Sequence, residues 1–70
     1  MSVTALNTCY KVELPGQRFL ELYPGAGKIT AIEWDSEARD GGNLLGDFGT
    51  WTEALRFCCF YQLTAIAGAL

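Results

Sequence analysis

Residues 51–70 read WTEALRFCCFYQLTAIAGAL, and this stretch decides the fold. Its only charged side chains are Glu53 and Arg56. Thr50 and Glu53 stand at the spacing of a capping box, which makes Thr50 the N-cap, and no proline follows. The spacing predicts one helix from about Trp51 to about Ala67, fraying at Gly68. At about 1.5 Å per residue it spans roughly 25 Å. No other stretch is long and apolar enough to form the second layer of a core.

On a helical wheel, Trp51, Ala54, Leu55, Phe57, Cys58, Cys59, Tyr61, Ala65 and Ile66 cover one wide arc. That arc is expected to pack on a sheet, with Trp51, Leu55 and Cys58 against Tyr10, Val12, Leu20 and Leu22. Gln62 falls inside the arc and needs a hydrogen-bond partner if buried. The opposite side carries Thr52, Glu53, Arg56, Phe60, Leu63, Thr64 and Ala67. Phe60 and Leu63 are out of place on a solvated face and are expected to meet a second copy or a partner.

Upstream, CYKVEL (9–14) alternates, with Tyr10, Val12 and Leu14 on one side, and reads as a half-buried strand that could reach back to Val3. Pro15-Gly16 marks a turn. RFLELY (18–23) is a second strand, with Leu20 and Leu22 sharing a face. Pro24-Gly25-Ala26-Gly27 is a second turn, and KITAIEW (28–34) a third strand whose inward face the alternation leaves open. Such short connections make an antiparallel meander. In DSEARDGGNLLGDFG (35–49), Asp35 or Ser36 could cap a single helical turn. Asn43-Leu44-Leu45 reads as either a short fourth strand at the edge or a loop. The expected architecture is therefore α+β, one domain over residues 1–70, with a three- or four-stranded meander and one C-terminal helix on one face.

Composition bounds the function. The chain has 70 residues, half of them apolar, and a net charge of −3 from eight acids and five bases. A fold this small buries only about 60% of its unfolded surface, so it needs a dense core, a crosslink or a partner. The acidity argues against direct nucleic-acid binding, which needs a positive face. Three cysteines (Cys9, Cys58, Cys59) without framework spacing, and no histidine, point to reduced thiols in a cytosol. Residues 1–8 show no basic n-region, so no signal peptide is expected. The apolar run from Phe57 to Leu70 is too short to span a bilayer.

No catalytic constellation emerges. In GAGK (25–28), Leu22 stands where a phosphate loop has its first glycine, and Ile29 where it has Ser or Thr, so a hairpin turn is the better account. Asp47-Phe48-Gly49 lacks everything around it that a kinase requires. The cysteines have no C-x-x-C pair and no histidine to complete a zinc site or activate a thiol. Neither an enzyme, a metal nor a cofactor is expected. What remains is an acidic segment holding Glu33, Asp35, Glu37, Asp40 and Asp47, opposed there only by Arg39. These carboxylates are expected to lie exposed along one edge, where they would suit a basic groove.

The meander CYKVELPGQRFLELYPGAGKITAIEWD (9–35) and the capped helix TWTEALRFCCFYQL (50–63) together resemble the small inhibitors encoded by phages, including anti-CRISPR proteins. The resemblance is one of architecture and carries over no individual residue. It implies a non-catalytic inhibitor in the host cytosol that occupies a basic surface of a nuclease complex, such as a CRISPR effector complex. The competing expectation is a structural module that homodimerises through the helix.

Overall fold

The computed structural model describes residues 9–69. Four strands and one helix follow in order: β1 (Tyr10–Glu13), β2 (Phe19–Gly25), β3 (Lys28–Trp34), β4 (Asn43–Phe48) and α1 (Trp51–Ala69). The strands form one antiparallel sheet in the order β1-β2-β3-β4, and α1 lies across one face. The fold is the α+β meander with a C-terminal helix that the sequence predicts, and the fourth strand is real. The extension of β1 towards Val3 lies outside the described residues.

Turn chemistry sets the register. Ala26 and Gly27 connect β2 to β3 with φ of 54° and 76°. Two consecutive positive φ values give the two-residue hairpin whose twist matches that of the strands. Gly25 then pairs with Lys28, Leu22 with Ala31 and Leu20 with Glu33. Pro24 belongs to β2 rather than to the turn, beyond the last described β1 pair, Tyr10 with Leu22. A proline is tolerated there because, among the described residues, no β1 residue stands opposite it to call on its missing N–H. Between β1 and β2 the chain makes a single 3₁₀ turn, Pro15–Gln17.

The register settles the facing of β3. Ile29, Ala31 and Glu33 turn towards the helix, and Ile32 and Trp34 away from it. In β4 the alternation breaks at a bulge opposite Ala31 and Ile32. The extra residue lets Leu45 reach the core while Leu44 stays 65% exposed on the other side.

The core lies between sheet and helix. Leu14, Leu20, Leu22, Ile29, Ala31, Ala54 and Cys58 are buried, ringed by Val12, Leu45, Phe48, Trp51, Phe57 and Tyr61. The buried arc of α1 is narrower than the wheel predicts. Leu55 is 40% exposed and Ile66 43%, and Cys59 is also exposed. Tyr10 is half exposed as well. The reason is direction: Ala54 and Cys58 stand at the centre of the buried arc, and Leu55, Cys59 and Ile66 lie about 100° or more round the helix from Ala54, at or beyond the edge of the contact with the sheet. The N-cap is as predicted, with the Glu53 amide donating to Thr50 Oγ1 at 3.2 Å.

The sheet's other face is covered too, which the strand pattern did not foretell. Phe19 and Glu21 are 2% and 6% exposed. Residues 35–42 fold over them as a closed turn, not the expected helical turn. The turn is tied by Asp35 N–H to Asp40 C=O at 2.9 Å and Arg39 N–H to Ser36 C=O at 2.8 Å. Arg39, at φ 61°, reaches back to Glu21 with two bonds of 3.0 and 2.8 Å. Lys11 and Arg39 lie over the Phe19 ring at 4.5 and 5.7 Å.

Candidate functional site

Each element places charged groups in a distinct setting, and the five acidic candidates separate accordingly. Glu33 is buried on the helix side of β3, contrary to the expectation that it is exposed. It accepts from Arg18 Nη1 at 2.5 Å and from Tyr61 O–H at 2.6 Å. Its place in the strand, opposite Leu20, dictates this, because the period of two turns it inwards with Ile29 and Ala31. Bonding to Glu33, helped by burial, raises the Tyr61 hydroxyl above its ordinary range.

Asp47 and Glu37 are exposed but paired. Asp47 accepts from Thr30 Oγ1 at 2.8 Å and faces Lys28 at 3.3 Å, and these two bonds lower its carboxyl below the usual range. Glu37 meets Lys11 at 2.8 Å. Asp35 and Asp40 are exposed on the tied turn, and Asp40 accepts from Ser36 Oγ at 3.1 Å. Every ion pair among the described residues is one acid with one base, and four bases are so engaged. The acids left without a cation are Glu13, Asp35, Asp40 and Glu53, and the base left over is Arg56. The acidic segment thus contributes two unpaired charges, not five.

Glu21, which the sequence did not single out, is the other buried acid. Its bonds to Arg39 lead in holding the carboxyl below its ordinary value, against the opposing pull of burial. Tyr23 O–H also donates to Glu21, and Trp34 Nε1 donates to Tyr23 O–H at 3.3 Å. No buried side-chain polar atom among the described residues lacks a partner. This network holds the turn against the sheet.

The thiols do not converge. Cys58 is buried, which raises its thiol above the usual value, while Cys9 and Cys59 are exposed. Among the described residues no three side chains of the metal-binding types come together. No described helix is long and apolar enough to cross a membrane.

The remaining feature is the outward side of α1. Phe60 is 71% exposed and Leu63 60%, as their place opposite the buried arc requires. Leu55, Cys59 and Ile66 continue this surface towards β1. Phe60 stands on a ridge between two clefts. One, of about 350 Å³, lies against Arg18, Phe57 and Tyr61; the other, of about 570 Å³, against Phe48, Gly49 and Arg56. Phe48, Phe57 and Tyr61 stack along the floor, with ring centroids 5.0 and 5.6 Å apart. Gln62, on the other flank, donates to the Glu13 carbonyl at 2.7 Å, which supplies the partner its position requires. The structure therefore brings Phe60 and Leu63 together with Leu55, Cys59 and Ile66, and separates them from the acidic turn. The wheel places Leu55 and Ile66 in the core because it gives directions but not how wide the contact with the sheet is. No family model matches the chain, and comparisons with curated proteins and with solved structures return no match.

Proposed function

We propose that this chain is a non-catalytic protein-binding module whose contact surface is the outward side of α1. One observation carries the reading: Phe60 and Leu63 are 71% and 60% exposed beside each other on a helix whose other side, through Ala54 and Cys58, is buried against the sheet. Burying the two would contribute roughly 3–5 kcal/mol per chain towards association. Contiguous exposed apolar surface is a mark of contact sites. The reduced thiols point to the cytosol as the setting.

A second, narrower reading keeps the acids. Asp35 and Asp40 are exposed and without a cation on a turn that is tied shut, so they are presented as a fixed pair. They would guide association with a basic surface, and inhibition of a nuclease complex such as a CRISPR effector is one form that such binding would take.

The test compares wild type with a Phe60→Ser, Leu63→Ser double variant by affinity capture from the source cells and by sedimentation. Both residues are exposed, so the variant should melt within a few degrees of wild type. It should lose the proteins, or the self-association, that wild type shows. A variant retaining the same partners moves the contact surface elsewhere. A wild type that is monomeric and captures nothing overturns the binding role.

A further inference from the structure

The outward side of α1 has a pattern beyond mere apolarity. Ala54, Cys58, Tyr61 and Ala65 face the sheet at spacings of four, three and four. Thr52, Arg56, Cys59, Leu63 and Ile66, all exposed, repeat four, three, four and three on the far side. The second seam has the spacing by which one helix packs along another. Leu55 and Phe60 flank it. From Cys59 to Ala69 the helix carries no charged side chain, so that half of the seam offers nothing for a charged partner to recognise.

Arg56 fixes the direction. It is the one base without an ion pair among the described residues, and it lies on the seam. The last turn of α1 has no basic residue to meet its C-terminal carbonyls. A parallel pair would set Arg56 against its own copy. An antiparallel pair crossing at Leu63 carries each Arg56 just past Ala69 of the other helix, so its guanidinium reaches the last described turn of that helix, where a cation is favoured. Cys59 and Phe60 then lie against Ala67 and Ile66 of the second copy.

We infer that the occupant of this face is a second copy of the chain, bound through α1 in an antiparallel two-fold pair whose axis passes near Leu63. This rests on the proposed function and names its partner. The contact is isologous, with both helices contributing the same residues. Its modest extent makes a dissociation constant in the micromolar range the expectation.

Cysteine crosslinking reads the geometry directly. In a Cys9→Ala, Cys59→Ala background, Leu63→Cys at the axis should oxidise to a covalent dimer, and Thr52→Cys should not. Cys59 in wild type should not crosslink to its own copy, because antiparallel pairing separates the two by eight residues, about 12 Å along the axis. In sedimentation the wild-type mass should rise with concentration. Arg56→Glu, which leaves the core untouched, should weaken the dimer about threefold to tenfold. A wild type that remains monomeric up to about 1 mM overturns the inference. So does a dimer that crosslinks through Cys59 and not through Leu63→Cys. A monomer whose Leu63→Ser variant loses a different captured protein overturns the second copy as partner while leaving the binding module standing.

Discussion

Two buried glutamates, one on each face of the sheet, divide the chain's electrostatics between them. Glu21 relies on Arg39, and Glu33 on Arg18 and Tyr61. Removing one partner of such a pair strands the other, so Arg39→Ala should lower the melting temperature and loosen the 35–42 turn. The sign of the pH dependence follows from the direction of the Glu21 shift. Its carboxyl is lowered in the folded state from an ordinary value of 4.5. Its contribution is therefore present above that value and is lost as pH falls through the lower folded one. Thermal melts between about pH 2 and 7 should show an acid decline that is shallower in Glu21→Gln, whose amide does not titrate. An identical acid limb in both proteins would show that Arg39 does not hold this carboxyl ionised. Tyr61 acts in the opposite sense. Its hydroxyl is raised, so its contribution holds below the ordinary value and is lost at high pH, and Tyr61→Phe should flatten the alkaline limb.

At the scale of elements, the narrow buried arc of α1 decides which of its residues matter. Leu55 is 40% exposed, whereas Ala54 is fully buried. Leu55→Ala should cost under about 1.5 kcal/mol, well below a core truncation. Ala54→Leu, which adds atoms where there is no room, should cost about 1–3 kcal/mol. Chemical denaturation of the two variants checks the order, and a reversal would put the helix in a different rotation. Residues 43–45 read equally as strand or loop, but the first three strands, the two turns, the cap and the helix were legible because each rests on a short-range rule: alternation, positive φ after proline or glycine, a threonine three residues before a glutamate. The facing of β3 was not, because Ile29-Thr30-Ala31-Ile32 offers apolar residues to both sides. Only pairing with β2 decides it. The bulge at Leu45 and the return of Arg39 to Glu21 were equally hidden, since both join residues far apart in the chain. Of the candidate site, Phe60 and Leu63 were visible as misfits on the wheel. Glu33 was misread because an acid in a strand looks the same whether it faces water or an arginine.

Over the whole molecule the net charge of −3 is not spread along one acidic edge. Ion pairing neutralises Glu37 and Asp47 on the surface and Glu33 within, so the acidic segment acts at a distance only through Asp35 and Asp40. Two exposed charges contribute little to affinity, about 0.2–1 kcal/mol each when paired across an interface. Their effect belongs in the association rate, where it is screened over about 10 Å at 0.1 M salt. With a basic protein captured by the chain, an Asp35→Asn, Asp40→Asn variant should associate about twofold to fivefold more slowly at low salt, with a flatter salt dependence. Its melting temperature should not move, because neither carboxylate lies in the core. Glu33→Gln should behave in the opposite way, lowering the melting temperature while leaving the salt dependence of association intact. Stopped-flow binding at several salt concentrations, beside thermal melts of the same proteins, separates the two. Equal rates for wild type and the double variant would remove the acids from recognition and leave the outward face of α1 as the surface through which the chain is bound.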